Sequence, residues 1–186
     1  VGLPLPTVEA RVVGDDARDA ETGELWIRGP SVFAGYHHKE EETKKAFSPA
    51  TDGGAPWFRT GDTVTRDASL AGAPYRILGR TSVDILKSGG YKLSALEIEE
   101  ALREHPAVSD VAVVGVPDET WGDRVVACVV ARPGAELEPA ALRAFAKEKL
   151  ASYKCPKDVV VLAELPRNAM GKVQKPALVA SLAAKS

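Results

Sequence analysis

The chain has 186 residues, of which 45% are hydrophobic and 27% charged, enough to bury one sizeable core or two small ones. Its net charge of −2 and isoelectric point near 6.0 provide no general attraction to nucleic acid or anionic membranes. No apolar run approaches the roughly 18 residues of a membrane span and no signal-peptide pattern begins the sequence, so we expect a cytoplasmic protein. The two cysteines, Cys128 and Cys155, fit no disulfide framework or metal-ligand spacing, which predicts buried, reduced thiols.

The first part of the chain, to about residue 78, carries short β-like runs separated by turn-forming residues. Residues 8–13 and 25–28 are two such runs, and each is followed by a glycine with aspartate or proline. This spacing predicts a small antiparallel β unit and not a βαβ layer. Residues 39–47, acidic at the front and basic behind, predict one polar helix, and residues 48–56 predict a loop.

Two polar side chains, one within this part and one just after it, could contact a nucleotide. The segment FRTGD at residues 58–62 ends one run and precedes another, which predicts that Asp62 lies at a strand-end turn. A carboxylate there can accept hydrogen bonds from the two hydroxyls of a ribose. Arg80 follows a predicted strand over residues 75–78, and its planar guanidinium suits phosphate or ribose oxygens. Taken alone, a simple turn and a solvated arginine remain the alternatives.

Residues 79–99, GRTSVDILKSGGYKLSALEIE, join a polar connector, a short apolar strand, a glycine pair and a helix. The connector at residues 81–84 could absorb the backbone rotation of a moving domain. The Gly89-Gly90 pair either makes an ordinary turn or takes positive φ and lets a ligand lie against bare peptide groups. Ser94 and Glu97 match the capping-box pattern, which predicts a helix start.

From about residue 80 onward, predicted helices and strands alternate. Two or three strands backed by three helices would make a small α+β domain. The predicted strands cover residues 108–116, 124–130 and 159–162, and the predicted helices cover residues 94–105, 139–150 and 176–184. The acidic loop at residues 117–123 is predicted to be solvated and not a metal site, because its carboxylates are loosely spaced.

Four segments, in this order along the chain, resemble the adenylate-forming acyl-CoA synthetases, and in particular their malonyl-CoA synthetase branch. They are GELWIRGPSVFAGY at residues 23–36, WFRTGD at 57–62, the connector segment at 79–99, and PRNAMGK at 166–172. Together they span nearly the whole chain. The first residue is a valine, the only methionine is Met170, and the phosphate loop of these enzymes is missing, so we expect a C-terminal fragment.

The resemblance implies an α+β fold in two parts. Residues 1–79 would be the last, β-barrel-like subdomain of a large N-terminal domain. Residues 80–186 would be a mobile, compact C-terminal α+β domain, with a hinge at about residues 80–84. Two hinge residues are candidates, because this chain is one residue longer here than many relatives. Ser82 matches by its distance from the arginine, and Asp84 matches by its acidic type.

The resemblance also implies roles for individual residues. Lys172 matches the catalytic lysine of the adenylation step, in which a cation between carboxylate and phosphate stabilises the transition state. Asp62 matches the aspartate that binds the ribose of ATP and AMP, and Arg80 belongs to the same nucleotide site. The loop that lines the pantetheine tunnel for CoA is matched by Gly89, Gly90 and Lys92.

The implied activity is that of an AMP-forming acid–thiol ligase of fatty acid metabolism, which makes an acyl-adenylate and then an acyl-CoA from malonate or methylmalonate. Its substrates would be ATP with Mg²⁺ carried by the nucleotide, the dicarboxylic acid and coenzyme A, with no protein metal site in this chain. The expected partner is the missing N-terminal domain, with no nucleic acid and no membrane, and the chain alone is expected to be inactive. Two alternatives stay open: an adenylation domain that loads a carrier protein, and a non-catalytic α+β binding module.

Overall fold

A computed structural model describes residues 2–184. The chain divides into two units, with the boundary between Thr81 and Ser82. Each unit has its own sheet and its own buried apolar residues. Among residues 2–184, no helix combines the length and apolar character needed to cross a membrane.

The first unit is a five-stranded antiparallel sheet accompanied by one helix within residues 2–81. The strands are β1 (Glu9–Val13), β2 (Thr22–Arg28), β3 (Phe47–Ser48), β4 (Trp57–Arg66) and β5 (Tyr75–Arg80), and the helix is α1 (Glu40–Ala46). The strand order is β1-β2-β4-β3, and β5 pairs with the second half of β4. The predictions of an antiparallel β unit and a polar helix are confirmed. The predicted loop begins one residue later than residue 48, because Ser48 pairs with Trp57.

Strand β4 is longer than predicted, because it continues through Asp62. The prediction that Asp62 lies at a strand-end turn is wrong, since β4 pairs with β2 on both sides of this residue. Instead, the pairing register shifts here on both neighbouring strands, and Gly61 adopts a φ of +73°. A β-bulge of this kind re-aims a side chain without ending the strand.

The second unit is also built on five strands, so the prediction of two or three strands is wrong. Its strands are β6 (Ile85–Ser88), β7 (Tyr91–Ser94), β8 (Val108–Asp118), β9 (Gly122–Ala131) and β10 (Asp158–Leu162). Its helices are α2 (Ala95–Arg103), α3 (Pro139–Lys149) and α4 (Lys175–Ala183). The two further strands form the β6–β7 hairpin, in which β6 is the short apolar strand predicted before the glycine pair and β7 has no predicted counterpart. The loop predicted at residues 117–123 is mostly strand, because Asp118 and Gly122 pair directly at the end of the β8–β9 hairpin.

Residues 111–116 of β8 and 125–131 of β9 are continuously apolar or glycine, because helices cover both faces of the sheet there. Alternate residues of these strands enter two separate clusters. The cluster with α2 and α3 includes Val113, Ala127, Ile98 and Leu142, and the cluster with α4 includes Val114, Val126 and Leu178. The start of α2 is confirmed as predicted, because the Ser94 hydroxyl accepts a hydrogen bond from the Glu97 N–H.

Candidate active site

Asp62 is held on a bulge that other side chains of the first unit shape. Glu24 on β2 accepts a hydrogen bond from the Gly61 N–H at 3.1 Å through one carboxylate oxygen. Its other oxygen accepts bonds from the Trp26 indole at 2.9 Å and from the Arg59 guanidinium at 3.1 and 3.2 Å. The backbone next to Asp62 is therefore fixed by a carboxylate whose side chain is only 17% exposed.

A hydroxyl completes this arrangement. Thr60 donates from its hydroxyl to the Leu25 carbonyl at 2.7 Å and accepts from the Asp62 N–H at 3.1 Å. Sequence analysis missed both Glu24 and Thr60 as supports of Asp62. Both lie within the GELWIRG and FRTGD segments, but no local pattern links a carboxylate to an amide 37 residues further along the chain.

The structure brings the two predicted nucleotide residues together. Asp62 and Arg80 are direct partners across β4 and β5, and Arg80 Nε lies 3.1 Å from Asp62 Oδ1. Arg80 also donates through Nη1 to the Thr60 carbonyl at 2.6 Å. The pair is partly exposed, so an acceptor and a donor stand side by side at the surface of the first unit. This arrangement fits the two hydroxyls of a ribose.

The predicted connector is anchored at each end within its own unit. Thr81 donates its N–H to the Gly61 carbonyl at 2.9 Å, and its hydroxyl lies 2.8 Å from that of Thr63. At the other end, the Asp84 carbonyl accepts the Ala95 N–H at 2.8 Å, and the Asp84 carboxylate pairs with Lys175 at 2.6 Å. Ser82 and Val83 are the residues between these two anchors.

The predicted glycine loop is the two-residue turn of the β6–β7 hairpin. Gly89 and Gly90 have φ values of +57° and +83°, as a type I′ turn requires. The Gly89 N–H donates to the Trp121 carbonyl at 2.9 Å, whereas the space that a Cβ of Gly90 would occupy is open. Lys92 is exposed on β7 two residues later. The turn therefore offers bare backbone to a ligand beside a cationic side chain.

Exposed aromatic rings surround this turn, and sequence analysis missed them. Tyr91 stacks on Tyr153 with ring centroids 4.6 Å apart, and Lys157 Nζ lies 3.8 Å from the centroid of Trp121. These aromatic residues are 55%, 45% and 39% exposed for Tyr91, Tyr153 and Trp121. They come from β7, the β8–β9 turn and a 3-10 helix at Ser152–Lys154, which are far apart in sequence, so no sequence spacing indicates their convergence.

Lys172 lies on a loop that is closed by its own hydrogen bonds. The Asn168 side chain accepts from the backbone N–H groups of Met170 at 3.0 Å and Lys172 at 2.9 Å. The Asn168 N–H donates back to the Lys172 carbonyl at 2.9 Å, and Arg167 pairs with Asp110 of β8. The Lys172 side chain is exposed. A flexible cation is thus carried on an ordered backbone.

The two cysteines are buried, and two of the carboxylates of residues 117–123 are bound to backbone N–H groups within the second unit. Cys128 and Cys155 are free and buried, as predicted, and burial raises the pKa of the Cys128 thiol to about 11. Asp118 accepts the N–H groups of Thr120 and Trp121 in the β8–β9 turn, and Asp123 accepts the Lys87 N–H. Over residues 2–184, His, Cys, Asp and Glu side chains form no group of three suited to a metal ion.

Comparisons with known proteins agree with these features. Residues 97–172 match the family described as the AMP-binding enzyme C-terminal domain. The mitochondrial malonate–CoA ligase of Homo sapiens is 45% identical over 96% of this chain, and the malonate–CoA ligase of Arabidopsis thaliana is 43% identical over 98%. These matches cover 34% and 30% of the two relatives, so the chain spans about a third of their length.

A solved structure extends the likeness to both units. The crystal structure of ATP-bound MatB from Rhodopseudomonas palustris matches with a TM-score of 0.83 and 36% identity, over 97% of this chain and 35% of its own. This match confirms the predicted α+β fold, a β-barrel-like subdomain followed by a compact α+β domain. The second unit therefore contains, at residues 97–172, a domain of the AMP-binding enzyme C-terminal family, and the chain as a whole is similar to about a third of the length of the malonate–CoA ligases.

Proposed function

We propose that this chain is the C-terminal part of an ATP-dependent acid–CoA ligase that makes malonyl-CoA or methylmalonyl-CoA from the free dicarboxylic acid. The observation that carries the reaction class is Lys172, an exposed cation on a loop closed by Asn168, in a domain of the AMP-binding enzyme C-terminal family. The dicarboxylic substrate is supported by the relatives named malonate–CoA ligase at 45% and 43% identity.

In the first step, a carboxylate oxygen of the acid attacks the α-phosphorus of ATP. The new P–O bond forms as the bond to the bridging oxygen breaks, and pyrophosphate leaves with that electron pair. Two anions must approach each other, so the Lys172 ammonium group would lower the barrier by offsetting their repulsion. The Asp62 carboxylate would accept hydrogen bonds from the ribose hydroxyls while Arg80 donates to ribose or phosphate oxygens.

In the second step, the thiolate of CoA attacks the acyl carbon of the mixed anhydride, and AMP leaves. The open backbone at Gly90 would let the pantetheine arm pass close to the chain, and Lys92 would favour an anionic ligand. The exposed ring pair of Tyr91 and Tyr153 lies beside this turn and supplies apolar surface.

The two steps would use different faces of the second unit, with a rotation about the connector between them. The anchors at Thr81 and Asp84 support a pivot at Ser82 and Val83, since these two residues are the link between backbone held in one unit and backbone held in the other. We therefore favour Ser82 over Asp84 as the hinge residue.

The proposal also covers the metal ion, the partner domain, the cellular location and the metabolic role. Mg²⁺ would enter with ATP, where its charge would neutralise phosphate oxygens. The partner would be the N-terminal domain that completes the adenine, phosphate and acyl sites. A cytoplasmic location and a place in fatty acid metabolism remain predictions, which fractionation and labelled-malonate tracing would test.

The decisive experiment is an assay of the full-length enzyme carrying this chain. AMP release is followed with Mg-ATP, CoA and malonate, methylmalonate, acetate or a medium-chain acid. Selective turnover of the dicarboxylates is expected. Turnover of monocarboxylates alone would contradict the substrate, and AMP release only with a carrier protein would favour carrier loading. No AMP with any acid or thiol would favour the non-catalytic binding module.

A further inference from the structure

Lys175, the first residue of α4, is a buried cation in an unfavourable position. The residue is 9% exposed, and burial of an ammonium group carries a desolvation cost. The start of a helix also has a positive partial charge, which repels a lysine there. Two carboxylates offset both costs: Asp84 lies 2.6 Å and Glu99 2.7 Å from Lys175 Nζ.

Glu99 is itself held in place from other directions. Its side chain is 4% exposed, and the oxygen that meets Lys175 also accepts the Val113 N–H of β8 at 2.9 Å. Its second oxygen pairs with Arg103 on the next turn of α2 at 3.2 Å. Glu99 is therefore a fixed point in the core, against which the lysine is located.

The other carboxylate connects this fixed point to the connector. Asp84 is bound twice, through its side chain to Lys175 and through its carbonyl to Ala95 at the start of α2. Lys175 and Asp84 are 91 residues apart in sequence. One ion-paired cluster therefore joins the connector, α2, β8 and the start of α4.

The cluster also lies at the base of the loop that carries Lys172. Gln174, next to Lys175, donates its N–H to the Pro166 carbonyl at 2.8 Å and closes that base. Lys172 precedes Lys175 by three residues, and the backbone between them is held at both ends. A displacement of Lys175 would therefore move the base of the loop.

We propose that Lys175 is a positioning residue for Lys172, because it fixes the base of the PRNAMGK loop against Asp84 and Glu99. A well-packed apolar side chain could fill the same place with equal or greater stability, but it would not define one geometry as an ion pair with two fixed carboxylates does. This inference rests on the proposed function and deepens it. It assigns Lys175 to the adenylation step, although its ammonium group is buried and paired with two carboxylates.

The test uses the full-length enzyme with Asp84→Asn, Lys175→Gln and the double variant. Asp84→Asn leaves Lys175 neutralised by Glu99, and the double variant carries no unpaired carboxylate at position 84, so these two variants should remain folded. Lys149→Met is the matched control, because Lys149 pairs with Glu104 at 2.6 Å in the same unit without touching the loop or the connector.

Three measurements are made on each variant. Adenylation is followed by pyrophosphate exchange into ATP, and we expect a loss of about 10-fold to 100-fold, as for misplacement of a catalytic group by about 1 Å. Thioester formation from supplied acyl-adenylate should change little. Hydrogen exchange of residues 166–174 should become faster in Asp84→Asn, with exchange in β8 and β9 unchanged. The double variant should be no worse than the single variants, because the two residues act as one unit.

The outcomes separate the inference from the function on which it rests. An equal loss in both half-reactions, additive effects of the two substitutions, or loop exchange equal to that of Lys149→Met would each overturn the positioning role. An unaltered enzyme without pyrophosphate exchange would instead contradict the proposed function, while the exchange of residues 166–174 would still report whether Lys175 orders the loop.

Discussion

Lys172 illustrates how one exposed charge depends on backbone order. Its side chain is exposed, and its backbone is bound on both sides by Asn168. The side-chain carbons of Lys172 link its ammonium group to this ordered backbone. The ammonium group can therefore extend away from the unit while the backbone position of the residue stays fixed. A surface lysine of this kind has no signature of its own, and only the surrounding PRNAMGK segment indicates its role.

We predict that Lys172→Ala in the full-length enzyme slows acyl-adenylate formation by roughly 10²- to 10³-fold or more, as for loss of one preorganised electrostatic group. Thioester formation from supplied acyl-adenylate should be affected far less, because no charge repulsion with ATP has to be offset in that step. Pyrophosphate exchange and single-turnover thioester formation measure the two steps.

The control for this prediction is Lys147→Ala, which removes an exposed lysine from α3 of the same unit. It should leave both half-reactions unchanged. Equal losses in the two half-reactions of Lys172→Ala would show that the lysine does not act in adenylation alone.

At the scale of single elements, the tight β8–β9 turn depends on the close approach of Gly122 to the backbone of β6. Gly122 has a φ of +77°, and a Cβ atom there would lie 2.9 Å from the backbone carbonyl oxygen of Lys87. Gly134 has the same φ of +77°, but a Cβ atom there would meet open space. Both glycines therefore require a left-handed backbone conformation, but only at Gly122 would an added Cβ atom also clash with neighbouring backbone.

We predict that Gly134→Ala lowers the free energy of unfolding by about 1–2 kcal/mol, the cost of a left-handed conformation. Gly122→Ala should cost roughly 2–5 kcal/mol, because the clash with backbone adds to the same strain. Urea unfolding followed by circular dichroism measures both. Equal losses would mean that the turn shifts freely away from β6.

The loop between β3 and β4 is held through Asp52 by Arg28, whose side chain is only 12% exposed and also pairs with Glu9. Asp52 accepts from Arg28 Nη1 at 2.9 Å and from the Gly54 N–H at 3.1 Å. The Arg28 guanidinium also covers the ring of Trp57 with its carbon 4.3 Å from the ring centroid. The hydrogen bond from Arg28 is the main reason that the pKa of Asp52 is lowered to about 2.

We predict that this attachment of the loop weakens in acid. The folded pKa of Asp52 lies below the value of about 3.9 in an unfolded chain, so its contribution to stability is fully present above that value and is lost as the pH falls through about 2. The stability difference between the unaltered chain and Asp52→Asn should therefore shrink between pH 4 and pH 2. A carboxyl resonance of Asp52 that titrates near 3.9 would contradict the assignment.

At the scale of the whole molecule, the two units have unequal cores. The apolar cluster described in the first unit has three buried residues, Val12, Val64 and Tyr75, with Ala10 and Leu25 packed against them. Val13 and Trp57 are buried outside this cluster. The second unit has two clusters, one on each face of its sheet. Because buried apolar area supplies most of the stability, the second unit should be the more stable one.

We predict that the isolated chain unfolds in urea in two steps, the first unit at lower urea than the second. Trp26 and Trp57 report on the first unit and Trp121 on the second. In a Trp121→Phe variant, tryptophan fluorescence should follow only the earlier step, while circular dichroism shows both. One coincident transition for both probes would show instead that the units unfold together.

Much of the local structure could be predicted from particular residues. Ser94 and Glu97 determined where α2 begins, and the Gly89-Gly90 pair determined a tight turn, because capping and positive φ depend on a few adjacent residues. The strand count of the second unit could not be predicted, since β7, with four residues between the glycine turn and α2, is too short for a clear alternation.

The sequence by itself determined the resemblance to the adenylate-forming acyl-CoA synthetases, the α+β class and the residues that carry the motifs, because these depend on the order of segments and on residues that are close together in the chain. Only the tertiary structure decided the bulge that keeps Asp62 beside Arg80, the support from Glu24, and the attachment of Asp84 to Lys175. These contacts join strands and helices from distant parts of the chain, and the last joins residues 91 apart. Their partners are selected by sheet register and helix packing, which no short window of sequence contains.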